Sequence, residues 1–407
     1  MFPSEGPFRT TGAAALVWVG ATGCPTGAGV KVDLVGPAGS LEPPREARGR
    51  SGATLPALAP LLLAGAPGGQ IAIAGLDRAR PSRGELIQGP AAGPFTTLTT
   101  GRQTLAPGVL ATAYLGDLGI LGTTGPGSRL SVDVERHYAS RPVQRGLLAG
   151  PAAAGARPEA LALDYRSDAL AVWARDGELY AWDLPASGRP RRPQPLGPTG
   201  PDPHVAALIS DDNRAIVLWA VDSPGTTRVY LDYSAVGVSF GAPQLLDSFS
   251  DPDGLAPPAG STQLVRLSSE SVMAAWSAAV AGHWVLRTAP IDQRGLLSVS
   301  TISAPGEDVL LDDLAPGPRG EAMVLWSQAP VSPAGRAEPD RESLQAARGT
   351  EGPPGVTHFG APEPIAAPGV VSGATIAIDP SNDLALAAWL GQDGSIRWSA
   401  RNPTPAG

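Results

Sequence analysis

The chain has 407 residues, of which 43% are hydrophobic, so it can bury a sizeable core and is not a wholly disordered chain. Its 51 glycines and 44 prolines argue against long helices and favour many short strands joined by tight turns. The net charge of −8 argues against nucleic acid or an anionic membrane surface as the main partner, and no run of about 18 apolar residues predicts a transmembrane helix.

The first element, GAAALVWVGATGCPTG at 12–27, has two interpretations. An apolar run, then small residues, then Cys24 is typical of a bacterial lipoprotein export signal. Residues 1–29 would then be a signal and tether, with Cys24 lipidated. Alternatively AALVW, ending at Trp18, is a β-strand of the repeat that follows, and both interpretations stay open. Because Cys24 is the only cysteine, the sequence excludes an intrachain disulfide and a Cys-rich zinc site.

A repeat runs down the chain, in which an alanine and three apolar residues precede a tryptophan. Examples are ALAVW, AIVLW, AMVLW and ALAAW. Two weaker members, LAPLLLAG and VLATAYLG, lack the indole. The repeat units are centred near residues 18, 63, 114, 173, 219, 276, 326 and 389.

Most units also contain a short strand and a polar turn before the tryptophan strand, then a third strand such as TRVYLDY and a fourth such as HFGAPEPIA; in the last unit no fourth strand follows SIRWSARN. Four antiparallel strands in about 50 residues make one blade of a β-propeller. The predicted fold is therefore all-β, a single β-propeller domain over 1–407 with seven or eight four-stranded antiparallel blades. We expect each tryptophan to pack between neighbouring blades. If there are seven blades, VKVDLVG at 30–36 is the predicted strand that closes the ring.

With these motifs, residues 50–400 resemble the extracellular bacterial β-propeller repeat proteins. The resemblance implies an extracytoplasmic protein, secreted or lipid-anchored to the cell envelope. The chain is only distantly similar to sialidase-type propellers, whose Ser-x-Asp-x-Gly-x-x-Trp box lies between the third and fourth strands. Here the acidic turn of SDDNRAIVLW precedes the second strand. The calcium loop of integrin-like propellers is approached only by DPDG at 251–254, which is too short to cage the ion.

Motifs for catalysis are weak. GVSFG at 237–241 matches the nucleophile elbow around Ser239, but a strand follows where the elbow needs a helix, so we predict a β-turn. The four histidines are scattered, and we predict no metal and no cofactor. Three arginines are either solvated strand-edge residues or candidates for binding an anionic sugar: Arg266, Arg287 and Arg397.

Long loops on a rigid scaffold are where binding residues tend to lie. The longest predicted connections from second to third strands are 115–128 and 327–341. The predicted ligand-binding residues in or beside them are Asp117, Arg129, Arg336, Glu338 and Asp340.

The first functional prediction is a non-catalytic β-propeller that binds a glycan or a protein, or scaffolds an assembly, at the cell envelope. It is favoured because no catalytic constellation is specific, and no catalytic residue is assigned. The alternative is a carbohydrate-active hydrolase or lyase with its site in the propeller channel. Converging carboxylate, arginine or tyrosine side chains would favour the alternative.

Overall fold

In the computed structural model of the chain, every regular element of the described residues is a β-strand. The described residues are 14–20, 29–35, 45–46, 48, 58–66, 70–77, 80–90, 94, 96–97, 105–113, 117–124, 129–135, 144–147, 155–186, 191–223, 225–250, 261–268, 271–292, 295–304, 306–317, 320–331, 341–351, 357–366, 372–378, 384–390 and 395–401. Within them, no helix is long and apolar enough to cross a membrane.

The chain divides into two compact units, and the first comprises residues 1–176 and 180–193. Its strands form successive antiparallel sheets. In chain order they are β1 (Ala14–Gly20), β2 (Gly29–Val35) and β3 (Arg45–Glu46); β4 (Leu58–Ala66), β5 (Gln70–Asp77), β6 (Arg80–Pro90) and β7 (Thr96–Thr97); β8 (Leu105–Thr112), β9 (Leu118–Thr124), β10 (Arg129–Glu135) and β11 (Gln144–Leu147); and β12 (Arg157–Leu163), β13 (Ala169–Arg175) and β14 (Glu178–Leu184).

The second unit comprises residues 177–179 and 194–407. It begins with β15 (Gln194–Pro198) and continues as four further antiparallel sheets. Their strands are β16 (His204–Ile209), β17 (Arg214–Ser223), β18 (Thr226–Ala235) and β19 (Gln244–Phe249); β20 (Thr262–Arg266), β21 (Val272–Val280), β22 (His283–Asp292), β23 (Gly295–Leu296) and β24 (Ser300–Thr301); β25 (Glu307–Gly317), β26 (Glu321–Pro330), β27 (Ser343–Glu351), β28 (Thr357–Phe359) and β29 (Glu363–Ala366); and β30 (Ser372–Ile378), β31 (Ala385–Leu390) and β32 (Ile396–Arg401).

Consecutive strands pair within each sheet, except that β24 pairs with β22 and β29 with β27. Tight turns allow this pairing. The predicted tight loop in ARDGE is confirmed: Asp176 and Gly177 join β13 to β14 with φ of 50° and 79°. Positive φ at both central residues is typical of the hairpin turn whose twist matches its strands. Within the second unit the first strands of consecutive sheets, β16, β20, β25 and β30, contact one another in order. The prediction of an all-β fold built from repeated antiparallel sheets, half of them of four strands among the described residues, is therefore confirmed.

The tryptophan-ended strands lie where the repeat places them. Trp173, Trp219, Trp276, Trp326 and Trp389 all lie on second strands and are buried. Trp276 packs against Ile216 and Leu218 of the preceding sheet, and Trp326 packs against Val265 and Met273 in the same way. The indoles therefore fill the space between neighbouring sheets, as predicted.

For the two weaker repeat units, the predicted second strand is wrong by one strand. Leu63 lies on β4, a first strand, and the second strand of that sheet is β5. In the next sheet residues 118–124 of the predicted loop 115–128 form the second strand, β9. Gly119 in this segment is needed for packing, since a Cβ there would come within 2.9 Å of the Leu163 side chain and 3.1 Å of that of Leu161.

The predicted ring-closing strand is also corrected. Most of VKVDLVG lies in β2, which pairs with β1 on one side and β3 on the other. Trp18 lies on β1 opposite Lys31 of β2. Among the described residues the last sheet has three strands, β30 to β32, and no strand from elsewhere completes it.

Candidate active site

A β-bulge in the second unit places an acidic side chain beside the second strand of its sheet. The pairing of β25 with β26 passes from Leu311 opposite Trp326 to Asp313 opposite Leu325, so Asp312 has no partner residue. The side chain of a bulged residue departs from the regular alternation of the strand, and bulges are common next to active sites.

The bulge itself belongs to the repeat. The corresponding point of the first strand is occupied by Gly108 in the sheet of β8 and by Glu159 in the sheet of β12. Glu159 is ion-paired with Arg157, with 2.5 Å between Oε1 and Nε. Among the described residues no cation forms an ion pair with Asp312. The fold therefore explains the bulge, but it does not explain an unpaired carboxyl there.

A second carboxyl meets Asp312 across a serine. The Ser327 hydroxyl, on β26, hydrogen bonds with the carboxyls of both Asp312 and Glu342, and Glu342 directly precedes β27. The backbone N–H of Ser327 also donates to Asp312. The two carboxyls therefore lie on either side of one hydroxyl group.

This arrangement holds one proton between the two acids. A serine hydroxyl has one proton to donate and otherwise accepts. It can donate to only one carboxylate, so the second carboxyl bonds to Ser327 Oγ only if it is itself protonated. Asp312 and Glu342 are therefore coupled through Ser327, and their titrations belong to the pair.

The electrostatics favour protonation of Asp312. Burial raises its pKa from 3.8 to about 7; the hydrogen bonds from Ser327 oppose the rise, and the nearby charges of Glu342 and Asp313 add to it. Burial also raises the pKa of Glu342. Among the described residues, the Oδ2 atom of Asp312 is buried without a hydrogen-bond partner. Acids that titrate near neutral pH are suited to proton transfer.

Both neighbouring sheets hold the bulge in place. Gln263, on β20, donates from Nε2 to the carbonyl oxygen of Asp312 at 3.4 Å. On the other side, Asp313 Oδ2 accepts hydrogen bonds from the Thr375 hydroxyl at 2.5 Å and the Ile376 backbone N–H at 2.9 Å, both on β30. The backbone that carries Asp312 is therefore fixed by three successive sheets.

Side-chain alternation places the pair beside the last sheet. Ser327 lies two residues after Leu325 and so faces the same side of β26. Leu325 packs with Ile376 and Trp389 of the last sheet. The site thus lies within the second unit, where the sheet of β25 meets the sheet of β30.

Of the five residues predicted to bind ligand, two belong to the described part of the chain. Asp117 lies in the turn between β8 and β9, is 3% exposed, and accepts a hydrogen bond from the Ser167 hydroxyl. Arg129 begins β10. Arg336, Glu338 and Asp340 fall outside the described residues, as does Cys24.

Asp312, Ser327 and Glu342 are not among the residues predicted to bind ligand, although the predicted loop 327–341 begins at Ser327 and ends one residue before Glu342. A signal was present in EDVLLDDLAPG, where two adjacent acids interrupt an apolar strand. The matching first strand RPEALAL has no such pair.

Two of the three arginines considered for an anionic sugar are engaged in ion pairs, and Arg397, exposed on β32, donates from Nε to the Ser395 hydroxyl at 3.5 Å. Arg266 forms an ion pair with Asp211 at 2.7 Å and donates to the carbonyl oxygen of Ile209 at 3.1 Å. Arg287 forms an ion pair with Asp247 at 2.6 Å, and the same carboxylate oxygen accepts the indole N–H of Trp276. These two arginines therefore tie sheets together.

Two other chemistries find no support in the described part of the chain. Ser239 is exposed in the turn between β18 and β19, and a strand follows it, so the predicted β-turn is confirmed. No three His, Cys, Asp or Glu side chains of the described residues lie close enough to hold a metal ion.

No protein-family model matches the chain, and no curated protein matches its sequence. Solved structures of the β-propeller type do match. A puromycin hydrolase is 14% identical with a TM-score of 0.47, covering 84% of this chain and 51% of its own. A prolyl endopeptidase is 12% identical with a TM-score of 0.49, covering 84% and 46%. An ulvan lyase bound to a glycan is 10% identical with a TM-score of 0.45, covering 83% and 90%.

The chain spans about half the length of the first two of these proteins. At identities of 10–14% the likeness concerns the fold. The first functional prediction, a non-catalytic binding or scaffold module, is contradicted by these neighbours, which are hydrolases and a lyase.

Proposed function

We propose that the chain is a carbohydrate-active hydrolase whose reaction is carried by Asp312 and Glu342. The observation that supports this most strongly is the pair of carboxyls joined through one serine hydroxyl at a β-bulge. Most glycoside hydrolases use two carboxyls on either side of the scissile bond, one as an acid and one as a base or nucleophile.

In this proposal Asp312 is the acid. Its pKa of about 7 keeps it protonated in mildly acidic solution, so it can give its proton to the glycosidic oxygen as the bond to the sugar breaks. Glu342 then attacks the sugar carbon as a carboxylate and forms a glycosyl ester. Asp312, now a carboxylate, takes a proton from water; the water attacks the ester, releases the sugar and frees Glu342. The carboxyls end the cycle as they began it.

Ser327 positions the two acids. Its hydroxyl donates to the carboxylate of the pair, and its backbone N–H supports Asp312. A single shared hydroxyl keeps the two carboxyls close together, as in glycosidases that retain the configuration of the sugar, in which they are about 5–5.5 Å apart.

The test is an assay of new reducing ends on a panel of polysaccharides, followed by NMR of the first product formed. We expect the product to have the same anomeric configuration as the substrate, because the reaction passes through a glycosyl ester on Glu342. Inversion would overturn the role of Glu342 as nucleophile. If no polysaccharide in the panel is cut, the proposed function is wrong.

We further propose that the sheets of both units form one propeller. Support comes from the repeat, whose sheets follow one another along the chain, and from the contacts between successive first strands within each unit. Small-angle X-ray scattering should give a radius of gyration of about 22 Å, as expected for one compact domain of this length. A value more than about a quarter larger would contradict a single domain.

A further inference from the structure

We propose that Ser277, a residue of the neighbouring sheet, is a positioning residue for the acid Asp312. Its hydroxyl holds the backbone directly before the bulge, and Gln263 holds the backbone at the bulge. The inference rests on the hydrolase proposed above and adds the residues on which the placement of its acid depends.

The Ser277 hydroxyl contacts a buried backbone group. Ser277 lies on β21 and is 2% exposed. Its Oγ atom accepts a hydrogen bond from the backbone N–H of Leu311 at 2.9 Å, and Leu311 is also 2% exposed. Among the described strands, β25 has a pairing partner on one side only, which is β26. Because a buried N–H without an acceptor destabilises the fold, the Ser277 hydroxyl satisfies a group that the sheet of β25 leaves open.

A second contact from the same sheet holds the next residue. Gln263, on β20, donates from Nε2 to the carbonyl oxygen of Asp312 at 3.4 Å. In a regular strand the N–H of one residue and the C=O of the next point to opposite sides. Here both groups meet the sheet of β20 and β21, because the bulge at Asp312 turns the backbone. The two side chains therefore hold the bulged conformation itself.

The repeat does not require a hydroxyl at the position of Ser277. In the described part of the chain five tryptophans lie on second strands, and two of them are followed by a serine, Ser277 or Ser327. Ser327 joins the two acids, and Ser277 holds the backbone beside one of them. Both serines therefore contact the same site. The residue after the other three tryptophans is apolar: Ala174, Ala220 and Leu390.

The position of Asp312 matters because proton transfer needs a short contact with the glycosidic oxygen. A displacement of about 1 Å can cost roughly 100-fold in rate. Ser277→Ala leaves the N–H of Leu311 without this acceptor, so we expect residues 311–313 to shift and kcat/KM on a polysaccharide to fall by about 30-fold. Glu342 directly precedes β27, two strands away from this contact, so its attack on the sugar should be little affected.

Two substrates distinguish a positioning role from a general loss of structure. Ser277→Ala and the wild type are compared on the polysaccharide that the wild type cuts and on a 4-nitrophenyl glycoside of the same sugar. The first step of the glycoside reaction needs no proton from Asp312, so kcat/KM for it should stay within about threefold of that of the wild type. Ser277→Thr keeps a hydroxyl on the same Cβ and should restore kcat/KM on the polysaccharide to within about threefold.

Matched variants control for folding, which is followed by tryptophan fluorescence in urea. Ser271→Ala makes the same change at a buried position in the turn between β20 and β21 and should keep the wild-type rates. Gln263→Met removes the second contact at similar side-chain length and should lower kcat/KM on the polysaccharide alone, by about fivefold, because this hydrogen bond is longer. If Ser277→Ala does not fold, Gln263→Met decides: no loss, or an equal loss on both substrates, would contradict the inference.

A double-mutant cycle tests whether Ser277 acts through Asp312. Asp312→Asn has no proton to place, so adding Ser277→Ala to it should lower kcat/KM on the polysaccharide by less than about threefold, against about 30-fold in the wild type. An equal loss in the two backgrounds, or on the two substrates, would overturn the inference while the hydrolase stands. If the wild type cuts no substrate, the hydrolase and this role both fail.

Discussion

Replacing Asp312 by asparagine should lower kcat on a polysaccharide by about 1,000-fold, because a positioned general acid contributes roughly 100- to 10,000-fold. Asparagine has the shape of the acid and can accept the backbone N–H of Ser327, but it has no proton to give. Initial rates of reducing-end formation, measured at saturating substrate, give the comparison.

A substrate with an activated leaving group distinguishes the roles of the two carboxyls. 4-Nitrophenolate leaves without being protonated, so for a 4-nitrophenyl glycoside the kcat/KM of Asp312→Asn, which reports the first step alone, should stay within about tenfold of that of the wild type. Glu342→Gln should lose about 1,000-fold on both substrates, because the attacking group itself is gone. This difference assigns the acid and the nucleophile in one experiment.

The control variant is Glu307→Gln on the same strand. It makes the same change of carboxyl to amide five residues from Asp312, at a partly exposed position without a role in the pair. Its rates should match those of the wild type. A polysaccharide rate for Asp312→Asn within tenfold of wild type would remove Asp312 from the mechanism.

The sequence predicts the repeat wherever an indole marks the second strand. Trp219, Trp276 and Trp326 lie on the strands predicted for them, and their side chains are buried. Where the indole is absent, the prediction assigns the motif to the wrong strand of the sheet. Both LAPLLLAG and IAIAG are apolar and β-rich, so hydrophobicity alone does not distinguish a first strand from a second.

The site could not be predicted because it depends on strand register. Asp312 and Glu342 are separated by 29 intervening residues, and they meet only because three adjacent strands bring them to the level of Ser327. A bulge is defined by the pairing of two strands, which single-sequence patterns do not contain. The loop prediction came close because Glu342 follows the long connection after β26 directly.

The buried acids also predict that the protein is more stable in mildly acidic solution than at pH 8. Burial raises the pKa of Asp312 from 3.8 to about 7 and that of Asp164 from 3.8 to about 6, and it raises the pKa values of Asp232 and Glu342. Between pH 4 and pH 7 the folded protein therefore binds more protons than the unfolded chain. Under that condition the free energy of unfolding falls as pH rises.

Asp164 lies in the first unit and Asp312 in the second. The ionisation of each should therefore change the free energy of unfolding of its own unit. At about 1.4 kcal/mol per pKa unit, with a discount for partial solvation, Asp312 accounts for roughly 2–4 kcal/mol of the loss between pH 4 and pH 8. Asp312→Asn removes that loss and should raise the free energy of unfolding of the second unit at pH 8 by about 2 kcal/mol.

Urea unfolding at pH 5 and pH 8, followed by tryptophan fluorescence, measures these differences. Asp164→Asn should have the smaller effect, because the pKa of Asp164 rises less and its Oδ1 caps the turn through the N–H groups of Arg166 and Asp168. Glu307→Gln should keep the wild-type pH dependence. Equal stability of the wild type at the two pH values would show that Asp312 ionises as readily in the folded protein as in the unfolded chain. The acid role proposed for it would then lose its physical basis, because an ordinary aspartate is almost fully deprotonated at neutral pH.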